Sequence, residues 1–547
     1  MPSTTSSRSI VVTLLATTFL PMLACKSPAE WSTAADDEVY QLVAERRAEL
    51  GLAGTFTIAS PDASLRERVL AGERPPELDQ LSLADCQRFA AENSRDYQTR
   101  RESLYFEALD LSLERYLYGL HWDVSGSTSV SGTENGADGF DADGGISLNR
   151  VLGNGADVVL NIGASFFKAL ANGSPGDLVS DLSLSITRPL LGGASNEAIF
   201  EPLTRAERRV VDEARRYERF RRSFGVDVFT RYWRILEQHE VVANEQSNVK
   251  NLGLLRERNE ALAAAGRVDD IQAGQATQDE LRAQSRLINA ESQLESQYDD
   301  FKFFMGLPIG LEITLDRTAF GAMASEGIEP VGLGEVEIVD LALLGRLDLA
   351  ISRDELCDAE RMLRIAEEDL GTHLDLTAQV NGTSDIQPGL DFQAADLGWS
   401  VGLDYDLPVD RMAERNAYRA AQIALDAAHR ALDQDEDQLR IDVRDDLRTL
   451  AQTSEDYKIQ VNSVHLAERR VESTELKLDA GRAETRDLLE ARDSLVAAQN
   501  AMVSALVDYK LARLRLLLDM EELDVDDHGV RARDPELLTP KVAKEEG

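Results

Sequence analysis

The chain has 547 residues and a formal net charge of −40, from 98 acidic against 58 basic side chains. That balance excludes a nucleic-acid binder, whose affinity rests on Lys and Arg neutralising phosphates, and suits a soluble surface or a conduit for cations. No Gly-rich phosphate loop, nucleophile elbow or His-x-x-x-His pair is present, so neither enzymatic chemistry nor a cofactor is expected.

In chain order the first element reads as a secretory signal. Arg8 precedes an apolar run from Ile10 to Leu23, too short for a bilayer span of about 20 apolar residues. Met22-Leu23-Ala24-Cys25 has the pattern of a bacterial lipoprotein signal, in which the Cys after a small residue is acylated. Residues 1–24 are therefore expected to be removed and Cys25 to carry lipid, with a chance Cys after an ordinary signal as the alternative. Lys26 follows, with no Asp there to argue for retention at the inner membrane. Residues 25–80 read as a periplasmic extension with a short helix around Glu38 to Leu50.

From Leu81 the chain is written twice, over 81–310 and 335–520 with a linker at 311–334. One constant offset pairs Asp96 with Asp348, Arg101 with Arg353, Gly119 with Gly371, His121 with His373 and Asp123 with Asp375. A shorter offset pairs Ala265-Gly266-Arg267 with Ala480-Gly481-Arg482 and Met305 with Met520. Each copy begins with a helical stretch, Leu83 to Gly119 or Glu335 to Gly371. Strands follow at about 121–190 and 373–408, then helical hairpins at 194–304 and 410–520. The long arm of each hairpin, Ala194 to Ala265 or Asp410 to Ala480, spans roughly 105 Å of helix. The returning arms, Val268 to Phe304 and Ala483 to Met520, are about half as long, so two short helices laid end to end match one long one. That arithmetic predicts a cylinder about 100 Å tall, built of antiparallel coiled pairs. Leu488, Ala491, Leu495, Ala498, Met502, Ala505 and Tyr509 form a narrow seam, and Ala420, Ala421, Ala424 and Ala427 permit close helix approach.

Between the helices the period switches to two. Leu397, Trp399, Val401, Leu403 and Tyr405 alternate with Gly398, Ser400, Gly402 and Asp404, at the length a tilted membrane strand requires. The partner run starts at Asp375, and the first copy repeats the pair with Val124 to Val130 and Leu182 to Leu190. A further alternating run, Val158 to Phe166, lies in the insertion from Gly132 to Val179 and marks an extra hairpin. Two strands per copy, four per chain, cannot close a barrel, and open edges are not tolerated in lipid. The chain must then share a barrel with copies of itself. Asp138 to Gly144 reads as an exposed loop, because it lacks calcium-loop spacing. Cys86 and Cys357 are expected to be unpaired, buried small residues. His121 and His373, each in Gly-x-His-x-Asp, are expected to be structural and not metal ligands. Residues 521–547 read as an acidic flexible tail.

Several features together resemble the TolC family of outer-membrane efflux proteins. They are the duplicated helix-strand-strand-helix halves, a Gly at each hairpin tip, the run from Ser183 to Leu191 leading into a long helix, and Gly345-Arg346-Leu347-Asp348-Leu349. Leu347 stands where Pro is usual. The resemblance implies a mainly α fold with membrane β-strands: a homotrimer whose α-helical periplasmic barrel is continuous with a shared twelve-stranded β-barrel in outer-membrane lipid. It implies a passive efflux duct, served by a periplasmic adaptor and an inner-membrane transporter. Gly266, Arg267, Gly481 and Arg482 would be the tips that meet the adaptor. Asp487 and Glu490 would form two acidic rings at the periplasmic aperture, whereas the first copy offers Gln272 and Gln275. A periplasmic coiled-coil scaffold lipoprotein is the competing reading.

Overall fold

The computed structural model describes residues 26–51, 56–58, 65–73, 76–132, 139–169, 176–328, 332–385, 397–407, 409–526 and 529–533. Cys25, the signal residues and positions 534–547 lie outside them. The contacts divide the chain into two units. One comprises residues up to 57, 103–214 and 359–424; the other comprises 58–102, 215–358 and 425–547.

Helix α1 (Pro28–Glu49) starts well before the expected Glu38, because Ser27 and Glu30 close a capping box that satisfies the free amides of its first turn. It is followed by α2 (Leu65–Leu70), α3 (Leu83–Asn93) and α4 (Arg95–Tyr118). Strands β1 (His121–Ser131), β2 (Gly139–Val151), β3 (Asp157–Ala169) and β4 (Asp177–Leu191) lead through the short α5 (Asn196–Ile199) to α6 (Glu201–Ala264) and α7 (Asp270–Phe304). Helix α8 (Thr318–Glu326) lies in the expected linker. The second copy runs α9 (Glu335–Gly345), α10 (Leu347–Asp369), β5 (His373–Asp385), β6 (Leu397–Asp406), α11 (Met412–Asp479) and α12 (Thr485–Asp519). No described helix is long and apolar enough to cross a membrane.

The opening helix of each copy is broken where the sequence suggested continuity, and at matching positions. Ser94 and Arg346 both take extended backbone, with ψ of 131° and 120°. In the second copy Arg346 Nε donates to both Asp348 carboxylate oxygens at 3.0 and 3.1 Å, and the Leu349 amide donates to Asp348 Oδ1 at 2.9 Å. The Arg-Leu-Asp-Leu motif is thus a side-chain clasp at a helix break.

The sheet departs from the expected four strands per chain. It has six, in the order β1-β2-β3-β4-β5-β6, and every neighbouring pair is antiparallel. Residues Gly139 to Gly144 are not a loop but the first half of β2; turn-forming Asp and Gly misled the reading because ladder partners on both sides override local propensity. The expected tail begins with a pair of four-residue strands: β7 (Leu523–Asp526) pairs with β8 (Gly529–Ala532). Glu521 is buried at the start of this hairpin.

In the unit holding the sheet, Val39, Leu42 and Val43 of α1 and Leu104, Ala108 and Leu111 of α4 are buried. Arg361 is buried against Glu201, with Nε to Oε2 at 2.5 Å. The helical unit is held by a cluster in which Ile338 and Ala342 of α9, Leu439 and Val443 of α11, and Leu516 and Leu517 of α12 are buried together. A second cluster joins Leu252 and Leu255 of α6, Ala283 of α7, and Leu488 and Leu489 of α12. Cys86 is buried, and burial raises its thiol pKa, but Cys357 is exposed, contrary to expectation. Ala420, Ala424 and Ala427 are exposed within the single chain.

Candidate functional sites: the hairpin turns and the six-stranded sheet

The two hairpin turns share one geometry, which follows from their Ala-Gly-Arg sequence. Gly266 and Gly481 sit at φ of 65° and 68°, a left-handed conformation that costs a side-chain-bearing residue roughly 1 kcal/mol or more. The Gly266 and Arg267 amides bond to the Ala263 and Leu262 carbonyls, both at 2.9 Å; Gly481 and Arg482 bond to Leu478 and Lys477 at 3.0 and 2.8 Å. This pair of reversed bonds satisfies carbonyls that a helix C-terminus leaves open. Gly266, Arg267, Gly481 and Arg482 are all exposed. Beside them, Arg258 pairs with Asp479 at 2.7 Å and buried Asn259 donates to Thr485 Oγ1 at 3.3 Å, tying the first-copy hairpin to the second.

Asp487 and Glu490 lie one turn apart on α12. Both are exposed, whereas Leu488, Leu489 and Ala491 beside them are buried. The two carboxylates therefore share the helix face turned away from the chain's own core. Each also has a local partner. Asp487 Oδ2 accepts from the Glu484 amide at 3.0 Å, helping to cap α12, and Glu490 pairs with Arg470 at 3.2 Å. An exposed pair of that kind contributes about 0–1 kcal/mol. Gln272 and Gln275 are half-buried in the first turns of α7.

The sheet presents two chemically distinct faces along a register that shifts only at Pro189/Leu191, at one end of the β4–β5 ladder. Residues directly opposite in an antiparallel pair share a face, so Asp123, Ser147, Asn161, Ser183, Asn381 and Gly398 form one row across all six strands. The next row carries Val124, Ile146, Ile162, Leu182, Gly382 and Leu397. Every acidic side chain of β1 to β6 falls on the polar face, Asp141, Asp143, Asp181, Asp375 and Asp404 among them, and no Lys or Arg of these strands does. Rungs such as Ser127 to Asp143 at 3.3 Å and Thr377 to Asp404 at 3.1 Å cross it. On the apolar face Trp122, Trp399 and Tyr405 are 66%, 78% and 70% exposed. The sequence places Asp404 on the polar side of its strand but hides Asp141 and Asp143, whose signal was their spacing of two, in step with Ser147 and Asn149.

His373 Nδ1 bonds to the Gly192 carbonyl at 3.0 Å, and the His121 ring packs on Tyr116. Among the described residues no group of acidic, His or Cys side chains could hold a metal ion.

Residues 338–518 match the family model described as outer membrane efflux protein. The match covers most of the second copy. CusC aligns with a TM-score of 0.59 at 13% identity, over 81% of this chain and 92% of its own. The outer membrane protein VceC of Vibrio cholerae gives 0.58 at 14%, over 80% and 95%. The CmeC outer membrane channel of Campylobacter jejuni gives 0.58 at 16%, over 80% and 85%. No curated protein sequence matches the chain. The mainly helical fold with an antiparallel strand domain is thus that of the outer-membrane efflux channels.

Proposed function

We propose that the chain is the outer-membrane channel of a tripartite efflux or export system, a passive duct that receives solute from an inner-membrane transporter. The observation that carries this reading is the sheet with one apolar and one acidic face. Its outermost strands have unpaired edges, and edges cannot persist in lipid, so copies of the chain must complete the wall. Three copies would place the exposed Ala420, Ala424 and Ala427 stripe of α11 against a neighbour. Cys25 would hold the mature N-terminus in the outer membrane through its lipid. The four tip residues Gly266, Arg267, Gly481 and Arg482 would meet the helical hairpin of a periplasmic adaptor.

Threefold symmetry would stack Asp487 and Glu490 into two rings of like charge, a device that favours cations. Arg470 would partly neutralise the Glu490 ring. The test is conductance of the purified oligomer in planar bilayers. A detergent-resistant trimer that conducts supports the duct, and a water-soluble rod without conductance would sink it in favour of a scaffold. Asp487→Asn with Glu490→Gln should lower cation preference, and Arg470→Gln should raise it; unchanged reversal potentials in all of these would remove the two carboxylates from the aperture.

A further inference from the structure

We infer that copies of this chain close an eighteen-stranded barrel, six strands from each of three copies, around a wide acidic lumen. The inference rests on the trimeric duct proposed above and goes beyond it in the number of strands and therefore in the size of solute admitted. The extra strands are β2 and β3. A plug folded into a lumen would be polar on both faces, and a lobe lying outside the wall would not share its register. Neither describes β2 and β3. They pair with β1 over Gly139 to Asn149 and with β4 over Asp157 to Phe167, all but the last two residues of each strand, and their Ile146, Leu148, Leu160 and Ile162 continue the apolar rows of the flanking strands.

The edges of that apolar face have the chemistry of a membrane boundary. Phe140 and Phe166 meet edge to face at 6.3 Å near one end of β2 and β3, and Trp122 and Tyr405 lie on the same face at the opposite end of the sheet. Arg150, Arg188 and Lys168, the only basic residues of the six strands, sit near strand ends on this face, where long cationic side chains reach headgroups. Aromatic girdles above and below an apolar band mark transmembrane barrels. Strand parity also fits closure by another copy of the same chain. With six alternating strands, β6 runs opposite to the β1 of a neighbour, and the two edges are similar in length, at 10 and 11 residues.

At a strand spacing of about 4.8 Å and a tilt of about 40°, eighteen strands give a backbone diameter of ~36 Å, against ~24 Å for twelve. With aspartate the only acidic side chain and no Lys or Arg on the polar face, the favoured solute is cationic and bulky.

The test places single cysteines on the full-length protein in liposomes, with exposed Cys357 replaced by Ser. Ser147→Cys and Asn161→Cys face each other on the polar side, and Leu148→Cys and Leu160→Cys on the apolar side. A charged, membrane-impermeant thiosulfonate should modify the first pair about tenfold faster than the second, because a thiol in lipid cannot ionise to the reactive thiolate. Polyethylene glycols added on the barrel side should enter the mouth up to sizes that a ~24 Å barrel excludes. Equal aqueous reactivity on both faces, with a size limit fitting twelve strands, overturns the eighteen-stranded wall while leaving a conducting trimer intact. A protein that forms no membrane pore in any of these variants overturns the duct itself.

Discussion

Gly481 shows how a single backbone torsion shapes a helix-hairpin tip. Open space surrounds the position where its Cβ would be, so the left-handed φ alone demands glycine. Gly481→Ala should cost about 1 kcal/mol locally and speed amide exchange across the turn roughly fivefold. Gly274→Ala, equally unobstructed but inside α7, should stabilise by up to about 1 kcal/mol; hydrogen exchange on the two variants checks both signs. Arg222 and Glu521 form a buried pair at 2.5 Å, with side chains 2% and 3% exposed. Arg219 also reaches Glu521, at 2.9 Å. Arg222→Ala should destabilise by about 3 kcal/mol in chemical denaturation, because it opens a cavity and leaves the buried Glu521 carboxylate with Arg219 as its remaining cation. Arg222→Met combined with Glu521→Gln should recover part of the loss.

Asp446 supplies a pH-dependent counterpart. Burial, reinforced by the neighbouring Asp519 carboxylate and opposed by Arg515, pushes its pKa up from 3.8 to about 7. The folded state therefore holds a proton that the unfolded chain releases, and stability falls as pH rises from about 4 to about 7. Asp446→Asn should match the parent in denaturation midpoint at pH 4 and exceed it at pH 8.

Among the elements, the long helices were legible because charged, breaker-poor stretches with apolar residues three or four apart have few other readings. The tips were legible because Ala-Gly-Arg recurs in both copies. The breaks at Ser94 and Arg346 were not. Arg346 has no helix-breaking propensity of its own, and its clasp with Asp348 depends on packing that a linear pattern does not display. β2 was hidden for a different reason: Asp and Gly are depleted in strands whose merit is measured by packing, yet on a water-facing row they need only alternate. The acidic pair on α12 came from the family resemblance, counted from the Gly481 tip, and the pairing of Glu490 with Arg470 became visible only once α11 and α12 were placed side by side.

For the whole molecule, charge is the dominant quantity. A chain at −40 repels its copies, and three chains held together concentrate that repulsion. Raising salt from about 0.05 to 0.5 M shortens the screening length severalfold, so the oligomer's thermal dissociation temperature should rise with ionic strength; a decrease would mean that ion pairs between copies outweigh the net repulsion.

The additional hairpin enters and leaves the sheet along the same rim. A tight turn closes β2 onto β3: the Leu152 amide donates to the Ala156 carbonyl and the Gly155 amide to the Leu152 carbonyl, both at 2.8 Å. Tyr118 at the end of α4 still reaches the Ile199 carbonyl beyond β4, at 2.8 Å, although β1 and β4 stand three strand spacings apart, about 14 Å. Gly192 and Gly193, both left-handed, turn the chain back between them, and a Cβ on Gly192 would lie 2.7 Å from the His373 ring. In the proposed duct, pore width and tunnel length are therefore set by separate segments of the chain. A two-strand insertion of this kind would widen the mouth without altering the helices that meet the proposed partners.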